Sequence, residues 1–198
     1  MSQYLQALKN RRSIYALGKQ VALNDAEIET IIKTAVEESP SSFNSQSSRA
    51  VILFDQAHDR LWDITEAALR AIVPAENFAP TAQKLASFKA AKGTVLFYED
   101  KAVIEGLQAQ FPLYADNFPV WSEHSTGIAQ HSVWATLAEH NIGASLQHYN
   151  PVIDADVQKE WNLPSSWVLR GQMPFGSIES AAGEKQYMAH ADRFRVFK

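Results

Sequence analysis

The chain has 198 residues, a formal net charge of −4 and no cysteine. Without cysteine there is no disulfide, no thiolate nucleophile, no cysteine-ligated zinc and no iron–sulfur cluster, so redox chemistry has to come from a bound cofactor. The mild negative charge gives no bulk attraction to nucleic acid or to an anionic membrane, and 46% hydrophobic with 20% charged residues is the balance of an ordinary globular protein.

The length fits one domain over residues 1–198. Residues 1–12 carry no apolar core or cleavage pattern of a secretory signal, and no apolar run approaches the roughly 20 residues of a membrane helix. A cytoplasmic protein without a membrane partner is expected. In chain order, residues 2–10 read as a short amphipathic helix with Tyr4, Leu5 and Leu8 on one stripe. Asn24 or Asp25 starts a second helix over about 25–38, with Ile28, Ile31, Ile32 and Ala35 on one face. A polar loop of small hydroxyl side chains follows, Ser39-Pro40-Ser41-Ser42-Phe43-Asn44-Ser45-Gln46-Ser47-Ser48. The apolar run 50–54 suits a buried strand.

Helices are expected over 57–72 and 77–90, a second buried strand over 94–98, and a short helix over 101–110 ended by Phe111-Pro112. The longest helical pattern is 117–141, with Pro119 in its first turn and Asn141 and Gly143 at its stop. Residues 144–147 suit a short strand, 154–162 a short helix and 167–173 a strand. Residues 194–197 alternate as an added edge strand would, which would put Arg193 and Arg195 on one face. Helices and strands interleave without clean βαβ repeats, and no glycine-rich dinucleotide fingerprint or phosphate-binding loop is present. The class is α+β with one mixed, mainly antiparallel sheet flanked by helices.

Four stretches could carry chemistry. Arg11-Arg12-Ser13 offers forked donors and a hydroxyl to a phosphate, although alone it also reads as a solvated turn. Ser39 to Arg49 would let a flat ligand approach the backbone and hydrogen-bond its edge, or would serve as a plain surface loop. Arg193 and Arg195, with Lys185 near in sequence, would want an anion, or would protect a solvated edge. Gln147-His148-Tyr149-Asn150-Pro151 forms a polar, aromatic loop at a strand end. By contrast, the histidines of 117–141 lack the Glu-x-x-His spacing of a dinuclear metal site. Nor does a Gly-x-Ser-x-Gly elbow support a hydrolase triad.

The order and spacing of these stretches resemble the FMN-dependent nitroreductase family. Arg11-Arg12-Ser13 and Ser39 to Gln46 carry the general likeness. The runs 143–151 and Gln172-Met173-Pro174-Phe175-Gly176 resemble its short, fatty-acid-repression-type branch. The resemblance covers Tyr4 to Phe197. It implies an interlocked homodimer with FMN sites at the interface and no catalytic side chain of its own, because the cofactor carries the chemistry. Arg11, Arg12, Ser13, Arg193 and Arg195, with Lys185, would surround the phosphate. Ser39, Pro40, Ser41, Ser42 and Asn44 would come from the partner subunit, and Gln147, His148 and Tyr149 would border the ring, with a backbone amide near its N5.

Two positions depart from the family pattern. Tyr15 stands where many relatives carry a basic residue, so Asn77 is the candidate for the missing contact to the ring's carbonyl edge. Gln46-Ser47-Ser48-Arg49 stands where many continue Gln-Pro-Trp. The implied activity is a two-step transfer from NADH or NADPH through FMN to a nitroaromatic, quinone or similar electron-poor small-molecule acceptor. A flavin- or lipid-responsive regulatory protein with little turnover is the alternative, and the sequence offers that role no DNA-binding motif.

Overall fold

The computed structural model describes residues 2–198. Among these residues, eight α-helices accompany a five-stranded sheet whose strand pairings are all antiparallel. The strands are β1 (Leu17–Gly18), β2 (Ser48–Phe54), β3 (Gly93–Asp100), β4 (Gly143–Ala144) and β5 (Trp167–Ile178). Their order is β1-β5-β3-β2, with β4 also on β5. The helices are α1 (Gln3–Asn10), α2 (Asp25–Glu37), α3 (Asp55–Arg70), α4 (Ala79–Lys89), α5 (Lys101–Gln110), α6 (Phe118–Glu139), α7 (Asp154–Glu160) and α8 (His190–Arg193).

Strand alternation divides the core. Every residue of β3 is buried, and successive side chains leave opposite faces of the sheet. Leu96 and Tyr98 join Leu61, Trp62, Leu85, Phe88, Val157 and Leu169, so α3, α4 and α7 cover one face. Val95 and Phe97 join Ile28, Ile32, Val133, Leu137, Met173 and Phe175, so α2 and α6 cover the other. The outcome is helices on both faces of an antiparallel sheet.

Local signals set most boundaries. Asn24 caps α2 in a reciprocal box: the Glu27 N–H donates to Asn24 Oδ1 at 3.0 Å, and the Asn24 N–H donates to Glu27 Oε2 at 2.8 Å. Asn141, at φ 58°, takes the left-handed turn that stops α6. Two expectations change. Residues 50–54 form a strand, but β2 lies at the end of the sheet order and Leu53 is its one fully buried residue. The C-terminal segment is not a strand: Arg193 ends the single turn of α8, and residues 194–198 are exposed and unpaired in the sheet. Alternation over four residues is too short to hold an edge without a neighbouring strand to bond.

Strand β5 places the N-terminal segment. Leu17 and Gly18 pair with Ile178 and Ser177. A Cβ at Gly176 would lie 2.1 Å from the carbonyl oxygen of Gly18, so only glycine permits this approach of the two backbones.

His58 is fully buried on α3. Its Nδ1 is 2.9 Å from Thr94 Oγ1 and its Nε2 is 3.2 Å from the Lys89 carbonyl. A carbonyl can only accept, so Nε2 carries the proton and Nδ1 accepts from the threonine hydroxyl. Burial lowers the pKa of His58 below its ordinary value of 6.5. The unfolded chain therefore binds more protons just below that value, and stability falls as pH drops through it. The expected result is an unfolding free energy that declines between pH 7.5 and 5.5, with a shallower decline in His58→Gln, as measured by denaturant titration at each pH. His131, whose pKa burial also lowers, supplies residual slope.

Candidate functional site

Two cavities gather half of the candidate residues, and they are separate within one chain. The larger, about 570 Å³, is lined by Arg11 to Ala16 and Ser180 to Lys185. The smaller, about 190 Å³, is lined by residues of the α2 end, Ser39, Pro40, Ser41, Gln46, Ser48 and Arg49, and by Ser125 and Ala129 of α6.

The larger cavity begins where α1 stops. Arg11 leaves helical geometry at φ −62° and ψ 111°. The next residues run beside β4: the Ile14 N–H donates to the Ala144 carbonyl at 2.9 Å, and Ser13 bridges to Ala144 in parallel fashion. Trp134 of α6 donates its indole N–H to the same carbonyl at 3.1 Å. Its ring lies 4.4 Å from the Arg11 guanidinium carbon, a cation–π contact that fixes one face of that fork. Burial and then the charge of Arg12 lower the pKa of Arg11, so two adjacent cations share a partly desolvated place. Arg12 donates to the Gly183 carbonyl at 2.8 Å, tying the segment to the 180–185 loop. Lys185 lines the cavity beside Glu184, the one acidic residue among its described lining.

Three cations and a serine hydroxyl, against a single carboxylate, make a donor set suited to a dianion. The open mouth of the cavity leaves Tyr15 exposed at its rim. The donor set fits a phosphate-bearing cofactor.

The smaller cavity is shaped by left-handed backbone. Phe43, Asn44 and Gln46 have φ of 57°, 49° and 49°. The loop is closed by the Asn44 N–H to the Ser41 carbonyl, the Ser45 N–H to the Ser42 carbonyl, and the Gln46 N–H to Ser41 Oγ at 2.9 Å. Phe43 turns its ring toward Phe111, Phe118 and Trp121, with the Phe111 centroid 4.9 Å away. Ser42 and Asn44 belong to this loop but do not line the cavity.

Glu99 is buried beneath the loop, and desolvation raises its pKa against the lowering effect of hydroxyl bonds from Ser47 and Ser48. Arg49 pairs with Asp100 at 3.0 Å. Sequence reasoning missed Trp134, Glu99 and the 180–183 backbone. A buried glutamate opposite two serines has no local signature, and Trp134 looked like a core position of a long helix.

Other expected residues lie elsewhere. Gln147 is buried and its amide donates to Ser145 Oγ at 3.1 Å. His148 is exposed. Tyr149 turns toward the core: its ring meets Trp62 edge-on at 6.0 Å, and burial raises its pKa. Gln172 holds this loop from β5, accepting the Tyr149 N–H at 2.7 Å. Asn77 ends a 3-10 turn, exposed, and lines neither cavity. Nor do Arg193 and Arg195 line the arginine cavity. Arg195 donates to the carbonyls of Ala191 and Phe194, and the Arg193 guanidinium lies 5.7 Å from the Phe194 ring centroid. Within one chain, the cations of the two ends are not brought together on a shared cavity. Both ionic groups lean instead on their own segment, because the helical turn replaces the strand that would have presented them side by side.

The helix-flanked antiparallel sheet and cationic cleft fit the family match, which makes the chain an oxidoreductase of the nitroreductase type. It belongs to the Nitroreductase family, whose model matches residues 8–177. HBN1 of Saccharomyces cerevisiae is 36% identical over 192 residues, covering 95% of this chain and 94% of that protein. The nitroreductase CinD of Lactococcus lactis, solved with chloramphenicol, is 54% identical with a TM-score of 0.92, covering 99% of this chain and 100% of that one; it has also been solved with 4-nitrophenol. A Desulfovibrio desulfuricans protein solved with FMN shares the fold alone, at 18% identity and a TM-score of 0.74, covering 100% of this chain and 99% of that one. Among the described residues no helix is long and apolar enough to cross a membrane.

Trp134 braces the arginine segment through a ring face and an indole donor. Replacing it by leucine removes a cation–π contact of about 0.5–1 kcal/mol and a hydrogen bond of about 0.5–1.5 kcal/mol, along with packing. Trp134→Leu is expected to lower the unfolding free energy by roughly 1–3 kcal/mol, as read by denaturant melts.

Proposed function

We propose that the chain is an FMN-dependent NAD(P)H oxidoreductase that reduces nitroaromatics, quinones or similar electron-poor acceptors by a two-step, ping-pong transfer. The observation that carries this reading is the cavity where Arg11, Arg12, Ser13 and Lys185 converge. A monoester phosphate is close to dianionic at neutral pH, and bidentate guanidinium bonds recognise it. Bound FMN supplies the two-electron chemistry between a nicotinamide and the acceptor. The chain's own task is then to bind, orient and shield. Arg11 and Arg12 hold the phosphate end, the small side chains of Ser39, Pro40 and Ser41 give a flat ring access to the backbone, and no acid–base pair is required.

A homodimer follows in the same reading. The arginine cavity and the Ser39–Arg49 cavity are distinct in one chain, so one ligand meets both only if a second copy brings its loop across. The exposed Tyr187, Met188, Phe194, Val196 and Phe197 of the tail supply apolar surface for a partner to cover. In such a dimer Arg193 and Arg195 would reach a phosphate through the partner. Gln147, Tyr149 and Gln172 then act by fixing the backbone of the 145–149 loop, while His148, Tyr15 and Asn77 remain candidates for the ring's exposed edges. The 4-nitrophenol and chloramphenicol complexes of CinD favour a nitroaromatic acceptor. Dependence on a nicotinamide donor favours the cytoplasm.

Purified protein is expected to be yellow, to bleach anaerobically with NADH or NADPH, and to recover its colour on adding 4-nitrophenol or a quinone. A yellow protein that neither nicotinamide bleaches contradicts the reading. Arg12→Ala removes a charge-assisted contact of about 1.5–3 kcal/mol, so its FMN dissociation constant is expected to rise roughly 10- to 150-fold by fluorescence titration.

A further inference from the structure

The buried carboxyl of Glu99 is used by none of the chemistry above. It lies near the end of β3, with Ser48 as its cross-strand partner. Ser47 Oγ donates to Glu99 Oε2 at 2.6 Å, and Ser48 Oγ donates to Oε1. Each carboxylate oxygen is therefore held by the hydroxyl of a different, consecutive residue. Asp100 repeats the arrangement one step on: its N–H donates to the Ser47 carbonyl at 2.9 Å, and its carboxylate pairs with Arg49 at 3.0 Å. Arg49 in turn donates to the carbonyls of Gln46 and Ser48. Two neighbouring acids on β3 thus grip Ser47, Ser48 and Arg49 directly, and Gln46 by way of Arg49.

Those four residues are the downstream anchor of the Ser39–Gln46 loop. Upstream, the loop hangs from α2 through the Ser39 hydroxyl, which donates to the Ala35 carbonyl at 2.7 Å. Phe43 and Asn44 between the anchors, and Gln46 at the start of the downstream one, hold left-handed backbone, a conformation that persists only where the surroundings impose it. The sequence at the anchor is Gln46-Ser47-Ser48-Arg49, and only side chains with donors can use the acids of β3 in this way.

We propose that Glu99 is a positioning residue for the flavin site, holding Ser47 and Ser48, and through them the Ser39–Gln46 loop, in the shape that receives the ring. This rests on the FMN reading above. Glu99 lines neither candidate cavity; it acts through the two serines. Glu99→Gln keeps the volume but removes the charge; one serine hydroxyl must then accept from the amide nitrogen instead of donating to an oxygen, so one charge-assisted bond becomes a neutral bond of reversed direction and the other is weakened.

The test has two arms. Hydrogen exchange on the apoprotein is expected to show amides of residues 41–49 exchanging at least about tenfold faster in E99Q, with β3 residues 93–97 unchanged. FMN titration is expected to show affinity about tenfold weaker in the same variant. Ser47→Ala with Ser48→Ala should reproduce both effects, and adding E99Q to that pair should worsen neither, because residues acting as one unit are not additive. If E99Q does not fold, Ser48→Ala alone carries the test, with smaller changes in the same direction. Unchanged exchange in the loop, additive effects, or wild-type FMN affinity in E99Q each overturns the proposal. Wild-type protein that takes up no FMN overturns the flavin reading instead, and is told apart because this inference fails only where wild type binds and E99Q binds equally.

Discussion

Three of the sheet's four strand pairings are made by one twelve-residue strand, β5. Along one part it pairs with β3 and supplies Leu169, Met173 and Phe175 to the two cores. At its far end it receives β1 and β4 together, and Gly176 lets the backbone of Gly18 come within a distance no side chain would allow. The Arg11–Ala16 segment is fixed by that convergence, since Ile14 and Trp134 both donate to the carbonyl of Ala144 in β4. The cationic cavity is thus a consequence of sheet pairing far more than of the short helix α1.

Much of the scaffold was legible because its elements carry their own signals. The N-cap at Asn24, the turn at Asn141 and the apolar run before Asp100 are local, and the structure keeps them. The interleaving of helical and strand patterns set the α+β class, and resemblance supplied the family. What was not legible depends on contacts between distant residues. The bulge in the β3–β5 pairing at Phe97 and Tyr98, the Ser47–Glu99 bond across 52 positions and the stacking of Arg11 on Trp134 have no periodicity to reveal them. The C-terminal expectation failed for a related reason. Alternating residues 194–197 look like a strand, but a strand needs a neighbour, and the chain offers them none.

The same distinction separates the candidate residues. Arg11, Arg12, Ser13 and Lys185 share a cavity because β1 returns the chain to β5 and the 180–185 loop continues from it. Tyr149 looked like a ring-bordering residue from its loop, yet a half-buried aromatic gains more from Trp62 and its neighbours than from solvent. The departures in the sequence find a structural counterpart as well. Where the motif continues Ser47-Ser48-Arg49, β3 presents Glu99-Asp100 at matching register, so the altered loop and the acids beneath it form one unit.

On the proposed function, the arginine cavity and the loop cavity, separate in each chain, are the two halves of one FMN site that dimerisation would join. Subunit complementation tests it most directly. One chain carries Arg11→Glu with Arg12→Glu; the other carries Ser41→Trp to block the loop cavity. Each homodimer is expected to bind no FMN. Co-expressed with different tags and purified as the heterodimer, the two should regain one FMN per dimer, because one site then takes its arginines and its loop from intact halves. A heterodimer that binds no FMN, although the wild-type dimer binds two, would contradict the account.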